Sequence, residues 1–163
     1  MREVHTIPPC YDKYSRILML GSFPSPKSRE FGFFYGHPQN RFWRVLAALF
    51  SAPLPTTNEE KRNLLLREKI ALWDVLASCE IHGADDASIR NETPNDIRTI
   101  LNTCDIRAIF TTGGTATRLY RKHILPLVMR DTIALPSTSP ANCRTSLDAL
   151  IEQYRVILPY LAK

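Results

Sequence analysis

The sequence has no apolar run that approaches the roughly 18 residues needed to cross a membrane as a helix. Its first nine residues include a histidine, a glutamate and two prolines, so they lack the basic and then apolar pattern of a secretion signal. Internal repeats and low-complexity tracts are also absent. These absences argue against membrane-spanning and repeat proteins. We therefore expect one intracellular domain over residues 1–163, with no membrane association.

Cysteine is scarce, and its spacing does not suit a compact metal site. The chain contains no C-x-x-C pair of the kind that zinc ribbons use; its cysteines are Cys10, Cys79, Cys104 and Cys143. An intracellular chain of this length does not need disulfides to hold its core. We therefore predict reduced, mostly structural thiols, no metal and no cofactor. Distant cysteines can still converge in space on an iron–sulfur cluster, and that alternative stays open here.

The charge balance is moderately basic, with 21 Lys and Arg against 16 Asp and Glu, a net charge of +5. Basic side chains gain affinity for a polyanion by displacing counterions from its phosphates. Because many basic proteins never contact DNA, the charge is compatible with a DNA partner without establishing one.

Four short apolar segments predict the strands of a buried sheet. Each is apolar on both faces and closed by a turn residue, as strands are between two layers of helices; they are residues 17–20, 70–73, 106–110 and 132–135. Their alternation with helical segments predicts a three-layer α/β/α sandwich around a central, mainly parallel four-stranded sheet. In such a sheet, ligands bind beyond the carboxyl ends of the strands, near the point where the strand order reverses.

The helical segments follow from apolar spacing and from capping residues. Apolar side chains recur at helical intervals in residues 42–50 and 147–158, and Pro159 is expected to end the last helix. Residues 115–122 can form a short helix after a glycine pair. Thr93 followed by Pro94 resembles an N-cap and a first helical position, which predicts a helix through about residue 101.

Residues 21–28, which follow the first predicted strand, have the sequence GSFPSPKS. Prolines and small polar residues predict a rigid loop that offers hydroxyls and backbone N–H groups to phosphate. Ser25 and Lys27 are its candidate DNA contacts. An ordinary surface loop, with Lys27 as a solvated charge, is the alternative.

An unusual aromatic stretch follows in residues 31–43, FGFFYGHPQNRFW. Four aromatics lie beside two glycines outside any periodic pattern, which makes them hard to place in a core. Aromatic rings in a loop suit a flat heterocycle, since stacking contributes roughly 1–3 kcal/mol per base. A hydrophobic plug under the loop is the competing interpretation. Asn40 could bond a water or a base edge, but capping of the next helix explains it equally well.

Two further polar features follow strands at the same predicted edge of the sheet. Residues 135–144, LPSTSPANCR, carry hydroxyls between prolines and suit a sugar–phosphate backbone, with Arg144 as a phosphate partner. A tight, exposed connection is the alternative for this loop. Asp74 closes the second predicted strand, where it could position water or accept from a base N–H. A helix-capping or structural carboxylate is the competing role for Asp74.

The aromatic stretch and the second polar loop together resemble a known pair of motifs. Residues 21–43 and 135–142 are similar to the two signature motifs of the uracil-DNA glycosylase superfamily, and the resemblance spans most of residues 15–145. Within that superfamily the similarity is greatest to the hypoxanthine-DNA (deoxyinosine) branch, with the mismatch-specific uracil glycosylases next. The resemblance implies a monofunctional enzyme of base excision repair that flips a deaminated base, hypoxanthine or else uracil or xanthine, and hydrolyses its N-glycosidic bond.

The resemblance also implies roles for single residues. Tyr35 matches the aromatic on which the extruded base stacks, and Asn40 matches the asparagine that positions or polarises the attacking water. Phe23 stands where mismatch-specific relatives have asparagine, and Ser137 stands where uracil-specific relatives have histidine. Both departures favour the hypoxanthine branch. Residues 137–142 match the loop that enters the duplex and holds its phosphates, which implies DNA contacts from Ser139, Ala141 and Asn142.

These considerations give a candidate site and two competing classes of function. The catalytic candidates are Asn40 and Ser137, and the base-binding candidates are Phe23, Tyr35 and Asp74. DNA is the expected partner, and we expect a monomer with no obligatory protein partner. A small-molecule hydrolase using the same strand-end pocket, or a non-catalytic nucleic-acid-binding module, would fit the residues without the family resemblance.

Overall fold

Strands and helices alternate along residues 2–162, which the computed structural model describes. The strands are β1 (Arg2–Val4), β2 (Ile17–Gly21), β3 (Ile70–Asp74), β4 (Leu76–His82), β5 (Asp85–Pro94), β6 (Ala108–Thr112) and β7 (Ile133–Leu135). The helices are α1 (Pro26–Phe31), α2 (Phe42–Leu49), α3 (Asn58–Arg67), α4 (Arg98–Thr103), α5 (Gly114–His123), α6 (Leu125–Val128), α7 (Leu147–Tyr154) and α8 (Leu158–Leu161).

A parallel four-stranded sheet in the order β3-β2-β6-β7 lies at the centre and confirms the four predicted strands. Successive side chains of β2 point to opposite layers, since Ile17 and Met19 belong to one buried cluster and Leu18 and Leu20 to the other. Helices α2, α3 and α7 cover the first face, and α4 and α5 cover the second. The three-layer α/β/α architecture is therefore confirmed.

A second sheet, antiparallel and in the order β1-β4-β5, was not predicted. Its strands carry polar residues and irregular pairing, so no clear apolar alternation marks them in the sequence. The prediction of a helix from Thr93 is wrong, because Thr93 pairs with Ser78 and Pro94 ends β5 opposite Leu76. Proline is tolerated at a strand end, where its missing N–H breaks no ladder. Helix α4 begins only at Arg98.

Two other local predictions need correction. Residues 26–31 form helix α1, because the Ser25 hydroxyl accepts from the Ser28 N–H and Pro26 occupies the first helical turn. Only the first part of the predicted loop over residues 21–28 is therefore a loop. Pro159 does not end the last helix: a 3-10 turn, Arg155–Ile157, follows α7, and Pro159 lies in the first turn of α8. Proline costs nothing in a first turn, where its N–H would have no partner.

The strand order locates the edge at which a ligand should bind. β2 pairs with β3 on one side and with β6 on the other. The chain therefore continues from β2 towards one edge of the sheet, at β3, and from β6 towards the other edge, at β7. The crevice that this reversal creates lies beyond the carboxyl ends of β2 and β6, at Gly21 and Thr112. Within residues 2–162, none of the helices has the length and apolar character to cross a bilayer.

Tyr154 connects the packing of α7 to the loop that follows β7. Its ring is fully buried, and its hydroxyl donates to the Pro136 carbonyl at 2.6 Å. Replacing Tyr154 by Phe should lower the free energy of unfolding by about 1–2 kcal/mol, because the Pro136 carbonyl loses its donor. Urea denaturation measures the change. Tyr14→Phe is the matched control, since Tyr14 is 56% exposed; equal stability of the two variants would contradict the assigned role.

Candidate active site

A cavity of about 120 Å³ lies at the predicted edge of the sheet. Its walls come from the carboxyl ends of the parallel strands, the two polar loops and the β4–β5 hairpin: Gly21, Ser22, Phe23, Pro24, Ser25, Ser28, Phe34, Tyr35, Asn40, Asp74, Ile81, Ala84, Asp86, Thr112, Ser137 and Ser139. The fold thus brings together most of the candidates from the sequence. The candidates outside the cavity wall are Lys27, Ala141, Asn142 and Arg144.

The side-chain amide of Asn40 is bonded to the protein through its oxygen. Its Oδ1 accepts from the Phe42 N–H at 2.9 Å, at the start of α2, and from the Thr138 hydroxyl at 2.8 Å. Because Phe42 N–H can only donate, the orientation of the amide is fixed. Both lone pairs of Oδ1 are used, and no group among residues 2–162 accepts from Nδ2. Asn40 therefore supports α2, lines the cavity and has N–H donors that no described residue uses.

Arg41 joins the aromatic stretch of residues 31–43 to residues 138–145. Its side chain donates to the Ser139 and Asn142 carbonyls at 3.1 and 2.8 Å and also to the Thr145 carbonyl. Its backbone N–H donates to the Thr138 carbonyl at 3.1 Å. The planar guanidinium is suited to several carbonyls at once. The sequence analysis did not single out Arg41, although it lies between two motif residues.

Tyr35 is held rigidly between the cavity and α2. Its ring stacks on Phe42, with centroids 4.1 Å apart and an interplanar angle of 18°, and its hydroxyl is 2.8 Å from the Thr112 hydroxyl. Burial raises the pKa of the phenol well above its usual value, so the side chain stays neutral. The backbone φ of 52° is a left-handed conformation that non-glycine residues rarely adopt. Such conformations persist where the surroundings over-determine them.

The aromatic stretch separates into two groups. Phe33 and Phe34 are buried in the cluster that includes Trp43, so the plug interpretation holds for these two rings and the expectation that they are hard to bury is wrong. Phe31 remains 47% exposed. Phe34 and Tyr35 also reach the cavity wall. A single segment thus contributes both to the core and to the site.

Asp74 does not cap a helix, because strand β4 follows it after one residue. Its carboxylate is buried and accepts from His5 Nε2 at 2.9 Å through Oδ2. The Ile7 N–H donates to His5 Nδ1 at 3.2 Å, which places the ring proton of the neutral imidazole on Nε2. His5 precedes the first predicted strand and has no motif around it, so sequence reasoning missed it.

Gly21 is required by the close approach of Asp74 and Tyr35. A Cβ at Gly21 would lie 2.5 Å from Asp74 Oδ1 and 3.1 Å from the Tyr35 hydroxyl oxygen. The distances show that Oδ1, the carboxylate oxygen that His5 does not bond, lies beside the end of β2. This oxygen and the Tyr35 hydroxyl therefore approach each other across a position that only glycine can fill.

The β4–β5 hairpin supplies a second carboxylate that the sequence analysis did not identify. Asp86 lines the cavity, and the Ser22 hydroxyl lies 3.1 Å from each of its oxygens. Burial, followed by the repulsion of Asp74 and Asp85, raises the pKa of Asp86, while Ser22 and Arg118 oppose that rise. Asp86 was missed because the hairpin itself was missed.

The remaining candidates have structural contacts of their own. Ser25 caps α1, and Ser137 Oγ accepts from the Ser139 N–H at 3.1 Å. Asn142 Nδ2 donates to the Ser137 carbonyl at 2.9 Å, so this amide stabilises its own loop. Ala141 and Arg144 are exposed, and Lys27 lies 3.5 Å from Glu30 on the surface of α1.

The cysteines are free, as expected: Cys10, Cys79 and Cys104 are buried and Cys143 is exposed. Burial raises the pKa of Cys79 to about 11, which keeps its thiol neutral. Over residues 2–162, no group of three or more His, Cys, Asp or Glu side chains is arranged to hold a metal ion.

Known proteins resemble this chain over most of its length. The family model of the uracil DNA glycosylase superfamily matches residues 8–161. A protein named hypoxanthine DNA glycosylase from Methanosarcina barkeri is 33% identical over 139 residues, which cover 85% of this chain and 87% of the relative. A protein of the same name from Methanosarcina acetivorans is 31% identical over 140 residues, covering 85% and 88%.

A solved structure has the same fold. The solution NMR structure of a protein from Methanosarcina acetivorans, provisionally described as a uracil DNA glycosylase, superposes with a TM-score of 0.82. It is 29% identical, and the match covers 99% of each chain. Taken with the family match, the fold and the strand-end cavity, this similarity shows that the chain belongs to the uracil DNA glycosylase superfamily.

Proposed function

We propose that this DNA glycosylase hydrolyses the N-glycosidic bond of deaminated bases in DNA, with hypoxanthine as its main substrate. The observation that carries the proposal is the position of Asn40, which lines the same cavity as Tyr35 and Asp74 and whose amide N–H groups have no acceptor among residues 2–162. The names of the two Methanosarcina relatives support hypoxanthine as the base. A base in a duplex must be flipped out to reach such a cavity, and a mispaired base is the least costly to extrude.

Asn40 orients the attacking water through its Nδ2. Because Oδ1 already accepts two hydrogen bonds, Asn40 has no acceptor left to take a proton from that water. Its N–H groups donate to the water oxygen and hold it for attack on the sugar carbon. Fixed donors of this kind need no reorganisation during the reaction, and each lowers the activation free energy by on the order of 3 kcal/mol.

Tyr35 and Asp74 select the base. One face of the Tyr35 ring is covered by Phe42, so only the opposite face is available for stacking. Phe23, which is buried in the cavity wall, adds apolar surface. Asp74 Oδ1 accepts the ring N–H that deamination creates in hypoxanthine, uracil and xanthine. Adenine offers a ring nitrogen lone pair at that place and would leave Oδ1 without a donor and facing that lone pair, which is strongly disfavoured.

The loop of residues 137–145 binds the DNA. Arg41 holds its backbone carbonyls, which leaves the exposed Ala141 and Arg144 free to face the duplex. Ser25 and Ser139 line the cavity, and Lys27 lies two residues after Ser25. These three side chains bind the DNA phosphates. The residues that line the cavity include no lysine. This composition supports water, rather than a lysine amine, as the nucleophile.

A panel of duplexes that each carry one lesion tests the substrate. We expect free base and an abasic site from hypoxanthine-containing duplex, with uracil next, also in the presence of a metal chelator. An adenine-containing duplex of the same sequence is the control and should remain intact. Mass spectrometry detects the base, and alkaline cleavage detects the abasic site. Intact strands after alkaline treatment of the hypoxanthine, uracil and xanthine duplexes would contradict the proposal.

Two substitutions at Asn40 separate its two roles. Asn40→Asp keeps an oxygen for the Phe42 N–H and Thr138 but loses Nδ2, so the single-turnover rate should fall by roughly 10²–10³-fold with little loss of stability. Asn40→Ala loses the cap as well, which should lower the free energy of unfolding by about 1 kcal/mol. Quench-flow assays and urea denaturation measure the two effects. Full activity of Asn40→Asp would show that Asn40 serves only the helix.

A further inference from the structure

Two carboxyl groups share the cavity, and their contacts differ. Asp74 accepts a hydrogen bond from His5 Nε2. Asp86 comes from the β4–β5 hairpin and has no arginine or lysine within ion-pairing distance among the described residues. When two carboxyl groups meet in one site, unequal surroundings give them different protonation states.

The surroundings of Asp86 favour retention of a proton. Burial and the negative charge of Asp74 raise the pKa of Asp86, and Asp85 adds to this. The Ser22 hydroxyl and the exposed Arg118 act in the opposite direction but do not cancel the rise. A hydroxyl has one proton, so Ser22 can stabilise only one Asp86 oxygen at a time. The titratable groups that face Asp86 are Asp74 on β3, Asp85 on β5, Arg118 on α5, Cys79 on β4 and Tyr35.

Departure of the base as an anion is unfavourable beside the Asp74 carboxylate. Cleavage of the N-glycosidic bond leaves the bonding electrons on the base, which becomes an anion unless it receives a proton. A carboxylate anion in contact with that base repels it, and the repulsion is stronger in a partly buried site than in water. The proposed recognition of the base by Asp74 therefore requires a nearby acid, and the carboxyl group of Asp86, whose pKa is raised, lies in the same cavity.

We propose that Asp86 is the general acid that protonates the departing base, while Asp74 remains anionic and holds the ring N–H. This inference rests on the proposed function. The bond between C1′ and the ring nitrogen breaks, the electron pair stays with the base, and the Asp86 proton is transferred to a carbonyl oxygen or ring nitrogen of the base. The water held by Asn40 adds to C1′ and releases its proton to solvent, from which Asp86 is protonated again. The products are a neutral base and an abasic sugar.

The pH dependence of base release tests this assignment. Wild-type single-turnover rates on hypoxanthine duplex should be constant at low pH and should fall as the pH rises through the pKa of Asp86, because the acid form is lost. Asp86→Asn retains a partner for Ser22 but cannot transfer a proton. We expect its rate to be roughly 100-fold lower on the low-pH plateau and independent of pH across the wild-type decline.

A second variant gives a directional result that a structural role cannot produce. Ser22→Ala removes the hydrogen bond that stabilises ionised Asp86. The pKa of Asp86 should rise further, so the decline in rate should move to higher pH. Asp85→Asn is the matched control, because Asp85 is the adjacent carboxylate, is exposed and does not line the cavity. Its plateau rate should stay within about twofold of wild type, since exposed charges contribute little. Its decline should move, if at all, to lower pH, which is opposite to the Ser22→Ala shift, because Asp85 raises the pKa of Asp86.

The outcomes separate this inference from the function on which it rests. If wild type releases base but Asp86→Asn keeps the wild-type rate and pH profile, Asp86 is not the acid and the glycosylase function stands. If Ser22→Ala leaves the decline where it is in wild type, the acid is likewise another group. If wild type releases no base from any lesion, both proposals fail. Thermal unfolding identifies a variant that is not folded, and the Ser22→Ala profile then decides alone.

Discussion

The contacts of Arg41 with the loop of residues 137–145 are the interaction on which the active site depends. The aromatic stretch that carries Arg41 and this loop lie about 100 residues apart in sequence and follow β2 and β7, which are not neighbours in the sheet. Arg41 donates to three carbonyls of the second loop, and the adjacent Asn40 accepts from Thr138 of that loop. The cavity wall at Ser137 and Ser139 is consequently fixed relative to the Asn40 amide.

The parallel sheet provides the other fixed side of the site. β2 ends at Gly21, which leaves room for Asp74 Oδ1 and the Tyr35 hydroxyl to approach, and β6 ends at Thr112, which bonds Tyr35. The antiparallel sheet contributes Asp86 to the cavity wall, and the segment after β1 contributes His5, which bonds Asp74. Each carboxylate of the site therefore links the two sheets: Asp74 of β3 bonds His5, which follows β1, and Asp86 of β5 bonds Ser22, which follows β2.

The sequence predicted the parallel sheet and most of the cavity wall, because buried strands and strand-end loops have strong local patterns. Asp74 was identified in this way, whereas the resemblance to the glycosylase superfamily singled out Tyr35 and implied a catalytic role for Asn40. His5 and Asp86 were not, because their roles arise from long-range pairing that leaves no local pattern. The burial of Phe33 and Phe34 was hard to predict for another reason: their spacing is irregular, and their place in the core depends on the tertiary fold. The Thr93 and Pro94 pair predicted a helix that does not form there, because strand pairing overrides local capping preferences.

The most direct test of this account is the single-turnover rate of hypoxanthine release by Arg41→Lys, measured well below its unfolding temperature. Lysine keeps the charge but lacks the planar fork that reaches several carbonyls at once. The account predicts a fall of at least about tenfold, since a small displacement of the groups that position a reaction reduces its rate by that much or more. A folded Arg41→Lys protein that releases hypoxanthine at the wild-type rate would show that the joining of the two loops is not what builds the active site.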